Sequence, residues 1–303
     1  MLRTLLLLVS LALAPVPASS VGVTSTSGPS TRASSWGLDR IDQRSLPLNQ
    51  TYRWANTAST VHAYVIDTGI ATADGDFGGR ASVGFDALGG SGQDCNGHGT
   101  HVAGVIGGTT WGVAKRVQLV AVRVMDCSGR SSTSAVLAGI AWVRRHAVRP
   151  AVANLSLGGS LSTVLDRAVD DLADSGVFVS VAAGNSHADA CGSSPAAASR
   201  VVAVGASDRR DRLAAFSNVG SCVDLVAPGV GITSDWLGGG TRTLSGTSMS
   251  SPFVAGAAAI YLAKHPTAST AAVRSFLTTT ATTGHLSGVP SGTPDRLLYT
   301  ARI

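Results

Sequence analysis

The sequence contains no glutamate, so all 18 of its acidic residues are aspartates. Metal-binding and glycosidase signatures that require glutamate are therefore excluded, and any carboxylate that takes part in a reaction must come from aspartate. Lysine is nearly absent, with 2 residues against 21 arginines. Aromatic residues make up only 5% and charged residues only 14% of the 303 positions, whereas hydrophobic residues reach 44%. This balance is typical of a globular chain and not of a disordered one.

Continuous runs of one charge sign are also missing. The net charge is +5, but the densest basic cluster, Arg209 to Arg212, contains Asp211 and directly follows Asp208. A surface that follows the phosphates of a nucleic acid needs uninterrupted positive charge. We therefore expect no nucleic-acid partner and a mildly basic, soluble surface.

Long apolar runs are absent after the N-terminus, where no segment reaches the ~18 residues of a transmembrane helix. The N-terminus itself has Arg3, an apolar run from Leu5 to Leu13, and small residues leading to Ala18. This order is typical of a secretory signal peptide that is cleaved after Ala18. Residues 1–18 are thus predicted to be a leader, and the mature protein is predicted to be secreted, monomeric and without a membrane partner.

The chain has four cysteines and no Cys-x-x-Cys pair; they are Cys95, Cys127, Cys191 and Cys222. An even number of cysteines in an oxidising compartment favours disulfides. Three pairings are possible, of which the pairing of sequence neighbours closes two loops of medium length. Zinc binding is the alternative.

Apolar β segments alternate with helical segments from Trp36 onward. Residues 61–67, 117–125, 151–157 and 177–183 are near-continuously apolar, and helical spacing follows several of them. Strands that are apolar on both faces, separated by helices, predict an α/β fold: a three-layer sandwich with a mostly parallel, buried central sheet and helices on both faces. Residues 19–35 are rich in Ser, Thr, Gly and Pro and are predicted to be a flexible arm. Residues 36–303 are predicted to form one domain.

Three segments carry residues suited to nucleophilic chemistry. Asp67 ends a buried strand, His98 lies between glycines at a helix start, and Ser248 opens a long helix. Each has an ordinary alternative: a turn cap for Asp67, a metal pair with His101 for His98, and a helix cap for Ser248. Together they supply the acid, base and hydroxyl that a serine nucleophile requires, in the chain order Asp, His, Ser. His101 is expected to be a hydrogen-bonded core residue.

The segments Val65–Gly69, Gly97–Gly104 and Gly246–Met249 resemble the three signature segments of the subtilases. The segments Trp36–Gln43 and Asp94–His98 resemble the aqualysin-like secreted members of the proteinase K branch. This resemblance implies that residues 36–303 are a peptidase catalytic domain, a serine endopeptidase that cleaves protein or peptide substrates through an acyl-enzyme. It implies the following catalytic residues: Asp67, His98, Ser248 and the oxyanion-binding Asn185.

The resemblance also implies two backbone edges that hold substrate as an added strand, namely Gly129, Arg130 and Ser131, and Ser156, Leu157 and Gly158. It implies a pocket for the residue before the scissile bond (P1), walled by Ala182, Ala183 and Gly184. Because Ser193 stands at the expected floor of this pocket, we expect a broad, apolar or aromatic P1 preference. The implied disulfides are Cys95–Cys127 and Cys191–Cys222.

Structural Ca²⁺ is a further implication of the resemblance, since hard oxygen ligands suit this ion. One implied site consists of Ser199, Val201 and Asp224. A second consists of Asp39, Asp42, Gln43 and Asn49.

Two departures from the family pattern stand out. Members of this branch usually carry a folded propeptide, whereas only residues 19–35 separate the predicted leader from Trp36. The alternative hypothesis is therefore a catalytically silent secreted scaffold. In addition, Ser250 stands where the family usually has alanine, and a hydroxyl buried there needs a hydrogen-bond partner.

Overall fold

The computed structural model describes residues 29–303. The predicted leader and residues 19–28 of the expected arm lie outside the described residues. The strands are β1 (Ser30–Arg32), β2 (Thr51–Arg53), β3 (His62–Asp67), β4 (Ala81–Asp86), β5 (Gln118–Arg123), β6 (Ala151–Leu155), β7 (Gly159–Ser160), β8 (Val177–Ala182), β9 (Ser193–Ser194), β10 (Val202–Ser207), β11 (Leu225–Pro228), β12 (Ile232–Trp236) and β13 (Gly240–Leu244). The helices are α1 (Trp36–Ile41), α2 (His98–Gly107), α3 (Thr133–His146), α4 (Thr163–Asp174), α5 (Thr247–Lys264) and α6 (Thr270–Thr280).

Residues 29–35, the described part of the expected arm, are attached to the domain. Residues 30–32 form β1, which pairs antiparallel with β2 in the register Thr31 to Tyr52, and Ser35 caps α1. The side chain of Tyr52 is fully buried and donates its hydroxyl to the Val113 carbonyl. The expectation of a flexible arm is therefore wrong for residues 30–32. The buried Tyr52 holds β2 in place, and the polar residues of β1 pair with the edge of β2 through their backbone.

A single seven-stranded sheet forms the middle layer, in the order β11-β10-β8-β6-β3-β5-β4. All six neighbouring pairs are parallel. The strands are rich in valine and alanine and are mostly buried on both faces, as the covered faces of a parallel sheet require.

Two hydrophobic cores lie on opposite faces of this sheet. Residues alternate between them along β3: Val65 packs into the core beneath α2 and α5, and Ile66 into the core beneath α3 and α4. Phe253 of α5 is a large, fully buried member of the first core, and Ile140 of α3 belongs to the second. The predicted three-layer fold is therefore observed.

The helix starts separate into two kinds. Ser132, Ser162 and Ser269 each accept a hydrogen bond from a backbone N–H three residues later and cap α3, α4 and α6, as serine at this position commonly does. By contrast, α2 and α5 begin after Gly97 and Gly246, neither of which provides a side-chain cap. Side chains that follow β3 and β8 accept N–H groups at these two starts instead: Thr68 Oγ1 accepts the Gly99 N–H, and Asn185 Oδ1 accepts the Thr247 N–H.

Two disulfides join Cys95 to Cys127 and Cys191 to Cys222. Together they use all four cysteines, so no free cysteine remains among the described residues. The thiolates that zinc would require are therefore not present there. No helix within residues 29–303 is both long and apolar enough to cross a membrane.

Candidate active site

Asp67 and His98 form a direct hydrogen bond. Asp67 Oδ1 lies 2.7 Å from His98 Nδ1 and also accepts the N–H of Thr68 at 2.7 Å. The carboxylate is fully buried, and the imidazole is 24% exposed. Burial lowers the pKa of His98, but the charge and hydrogen bond of Asp67 outweigh it, so that the pKa lies above its ordinary value. A carboxylate at Nδ1 fixes the tautomer in which Nε2 accepts a proton.

The start of α2 holds His98 in place. Gly97 has a φ of +104°, and a Cβ added there would lie 2.3 Å from the Trp236 ring. The buried carboxylate of Asp94 accepts the N–H of Gly97 through Oδ1 and that of Thr100 through Oδ2, both at 2.9 Å. The sequence analysis assigned no role to Asp94. Its position could have indicated one, because an aspartate lies six residues before Thr100 at a helix start that has no side-chain cap of its own.

Ser248 lies in the first turn of α5, and its carbonyl has an unusual partner. Pro252 has no N–H, so the Ser248 carbonyl receives no intrahelical bond from the residue four positions on. The Ser156 hydroxyl donates to this carbonyl instead, at 2.7 Å. The Ser248 hydroxyl donates in turn to the Ser156 carbonyl, at 3.2 Å, and not to the His98 ring. Catalytic hydrogen bonds often form fully only with substrate bound.

A buried chain of polar side chains supports Ser156. Asn154 Nδ2 donates to Ser156 Oγ at 2.8 Å, and Ser251 Oγ donates to Asn154 Oδ1 at 2.7 Å. Ser180 of β8 pairs with Ser251 at 2.9 Å. Asn154 and Ser180 were visible in the sequence as polar residues within otherwise apolar strands, but their function as supports for the Ser248 turn was missed.

Asn185 is held by its carbonyl oxygen. Its Oδ1 accepts from the N–H and the hydroxyl of Thr247, at 2.8 and 3.0 Å, which leaves its two amide hydrogens free. Ser248, second in α5, also keeps an N–H without an intrahelical acceptor. The buried Asn218, which sequence reasoning missed, braces the preceding loop by donating to the Ala183 carbonyl and accepting from the Ser186 N–H.

The cleft beside Ser248 has three connected parts. A cavity of about 530 Å³ is lined by uncharged residues only, and these include Ala182, Ala183, Gly184, Ser193 and Ser248. A second cavity, of about 470 Å³, lies between residues 129–133 and residues 157–165. A third, of about 340 Å³, contains His98 and Ser156 and shares Leu157 and Gly158 with the other two. His98 and Ser248 therefore flank the same backbone segment.

The expected substrate edges differ in their exposure to this cleft. Gly129 and Ser131 line the second cavity on one side, and Leu157 and Gly158 line it on the other. Arg130 lines none of the three cavities, and its backbone N–H is already bonded to Asp126.

The N-terminal set of expected calcium ligands contains oxygens that lack hydrogen bonds. Asp39 accepts the N–H of Asn49 at 3.1 Å, and Asp42 Oδ2 accepts the N–H of Arg53 at 2.7 Å. Asp42 Oδ1 and Gln43 Oε1 are buried and have no hydrogen-bond partner among the described residues. Two buried, unpaired oxygens on adjacent residues suit a hard cation, whereas the side-chain oxygens of Asp39 and Asn49 already accept backbone N–H groups.

Two of the three residues in the other set of expected ligands, Ser199 and Asp224, are already engaged. Arg274 donates to the Ser199 carbonyl and to Asp224 Oδ1, both at 2.6 Å. Val201 is fully buried beside them. As they stand, these residues do not fit a calcium ion.

Two further expectations are met by the structure. The fully buried His101 is bonded through Nε2 to the Ile232 and Arg242 carbonyls, at 3.0 and 3.1 Å. It is thus a hydrogen-bonded core residue. The Ser250 hydroxyl donates to the Ala227 carbonyl at 3.1 Å, which satisfies the extra polar group.

Comparison with known proteins agrees with this geometry. The model of the subtilase family matches residues 60–296. The chain is 54% identical over 269 residues to an extracellular serine proteinase of Thermus sp. (strain Rt41A), covering 88% of this chain and 66% of that relative. It is 51% identical over 266 residues to alkaline serine exoprotease A of Vibrio alginolyticus, covering 87% of this chain and 50% of that relative.

A crystal structure of a cold-adapted subtilisin-like serine proteinase superposes with a TM-score of 0.87 at 49% identity, over 89% of this chain and 99% of that one. The chain belongs to the subtilase family, which confirms the predicted family and fold. It spans 66% and 50% of the length of the two curated relatives.

Proposed function

We propose that this chain is a secreted serine endopeptidase in which Ser248 attacks the peptide carbonyl. The observation that carries the proposal is the 2.7 Å bond between Asp67 and His98, at the edge of the sheet where α5 begins with Ser248 in its first turn. Membership in the subtilase family and the name of the extracellular Thermus relative support both the reaction and the location.

In the proposed reaction, a rotation of the Ser248 side chain brings its hydroxyl from the Ser156 carbonyl to His98 Nε2. His98 takes the proton as the hydroxyl oxygen bonds to the substrate carbonyl, and Asp67 stabilises the resulting imidazolium. His98 then gives the proton to the leaving amine, and water hydrolyses the acyl-enzyme by the same steps. The amide of Asn185 and the N–H of Ser248 donate to the oxyanion.

The substrate, in this proposal, is an extended protein segment that lies between residues 129–131 and residues 156–158. Pairing through the backbone tolerates many sequences. The uncharged cavity of about 530 Å³ beside Ser248 is large enough for an apolar or aromatic P1 side chain. We therefore propose a broad specificity that disfavours charged P1 residues.

Structural calcium at the N-terminal site is part of the same proposal. Asp42 and Gln43 would supply the unpaired oxygens, and the bound ion would neutralise the buried charge near Asp39. We also propose the domain organisation implied by the sequence, with a leader over residues 1–18 and a monomeric catalytic domain over residues 36–303.

The replacement Ser248→Ala tests the proposal in a casein-hydrolysis assay. We expect activity to fall at least about 10⁴-fold, because the covalent step is lost. Ser250→Ala is the matched control: it removes a neighbouring hydroxyl that donates to Ala227, away from the cleft. Ser248→Ala with undiminished casein hydrolysis would show that another group carries the reaction.

A further inference from the structure

Arg274 spans two loops that meet at the edge of the parallel sheet. It lies in α6, and its guanidinium donates from Nη1 to the Ser199 carbonyl and from Nη2 to Asp224 Oδ1, both at 2.6 Å. Ser199 precedes β10 and Asp224 precedes β11. One side chain therefore fastens α6 to the starts of two adjacent strands.

The two groups that accept from this guanidinium are held in place by further hydrogen bonds. The second oxygen of Asp224 accepts the N–H of Ala203 at 2.9 Å, so both carboxylate oxygens are bonded. The direction of the Ser199 carbonyl is fixed from the other side by Asp170, which accepts the Ser199 hydroxyl at 2.9 Å and the Arg200 N–H at 2.7 Å.

Two positively charged side chains lie beside this site and offset its carboxylates, Asp170, Asp174 and Asp224. The cavity at this place, of about 330 Å³, is bordered by two arginines, Arg200 and Arg274, and one aspartate, Asp174. Asp174 is bonded to Arg200 at 2.9 Å, which leaves Asp224 as the carboxylate paired with Arg274. Calcium takes 6–8 oxygen ligands at about 2.3–2.6 Å, and here it would have to displace a covalently tethered cation.

We propose that Arg274 is the resident cation of this site and that the site formed by Ser199, Val201 and Asp224 binds no calcium. The guanidinium performs the task that the family resemblance assigns to the ion: it neutralises Asp224 and joins the loops before β10 and β11. Because it belongs to the chain, this link persists when calcium is removed.

The test is the number of calcium ions bound, measured by equilibrium dialysis of chelator-stripped protein carrying Ser248→Ala to prevent self-cleavage. We expect Asp224→Asn to bind as many ions as its parent. We expect Arg274→Ala to bind one more, because it releases the Ser199 carbonyl and Asp224 Oδ1, and to gain several degrees in Tm when millimolar calcium is added. Arg200→Ala is the matched control, with the same charge change and no contact to Asp224, and should gain no ion.

Loss of one bound calcium in Asp224→Asn, relative to the parent, would overturn the proposal. Arg274→Ala that binds no additional ion would also count against it. If Asp224→Asn does not fold, as judged by circular dichroism, the comparison of Arg274→Ala with Arg200→Ala decides alone. None of these outcomes depends on proteolytic activity.

Discussion

Asp235 offers the sharpest test of the energetics of this fold. It lies in β12 and is 3% exposed, and the Asp76 carboxylate faces it. A Cβ added to Gly108 would lie 2.4 Å from Asp76 Oδ2 and 2.9 Å from Asp235 Oδ2. Burial, followed by the charges of Asp76 and Asp74, raises the pKa of Asp235 from 3.8 to about 8.

The sign of the effect follows from proton linkage. Between pH 4 and pH 8 the unfolded chain releases the Asp235 proton while the folded chain keeps it, so the free energy of unfolding falls as pH rises. At pH 7, about three units above the ordinary pKa, the loss is on the order of 4 kcal/mol, at 1.36 kcal/mol per unit. Below pH 4 both states are protonated, and above pH 8 both are ionised, so no further change arises there.

Asp235→Asn keeps the shape and removes the ionisation. We expect this variant to be more stable than its parent by about 2–4 kcal/mol at pH 7 and by less than about 1 kcal/mol at pH 4. Urea unfolding at pH 4, 7 and 9, in protein carrying Ser248→Ala, measures both differences. Asp171→Asn, at a half-exposed carboxylate, is the control and should change stability by no more than about 0.5 kcal/mol. A variant that is less stable at pH 7, or a gain that is equal at all three pH values, would refute the reasoning.

Three other predictions concern the cleft and its supports. Ser193→Asp places an acid in the cavity that we propose for P1, so kcat/KM for peptides with lysine at P1 should rise at least about tenfold relative to phenylalanine; an unchanged ratio in a fluorogenic peptide series would contradict the proposed floor. Ser156→Ala leaves the Ser248 carbonyl unpaired, so the free energy of unfolding measured by calorimetry should decrease by about 1–3 kcal/mol, and kcat should fall. Stability and kcat equal to those of the wild type would argue against this support. Replacing Cys95 and Cys127 together by serine opens a loop of 32 residues and should lower stability by about 3–4 kcal/mol; a loss below about 1 kcal/mol in denaturant unfolding would show that the crosslink contributes little.

The general outline of the fold and the positions of the central residues were predictable because they depend on local patterns. Strands that are apolar on both faces require covered sides, and the carboxyl end of such a strand brings Asp67 to the sheet edge where other segments converge. The glycines around His98 and before Ser248 signal tight helix starts. These features are encoded within a few residues of each position.

The supports were not predictable, because each depends on contacts between distant segments. Ser156 pairs with the Ser248 carbonyl only because Pro252 leaves it free, and the two serines are 92 residues apart. Arg274 meets Ser199 across 75 residues. The strand at residues 30–32 depends on an edge provided by β2. No local pattern in the sequence indicates any of these pairings.

The central claim is that His98 activates the hydroxyl of Ser248, and labelling with a fluorophosphonate followed by peptide mass spectrometry tests it most directly. We expect one adduct, on Ser248, whose rate of formation increases with pH and is half-maximal above pH 6.5, because the pKa of His98 is raised above that ordinary value. His98→Ala should slow the labelling by orders of magnitude. An adduct on a different residue, or labelling of Ser248 that is unaffected by His98→Ala, would contradict the account.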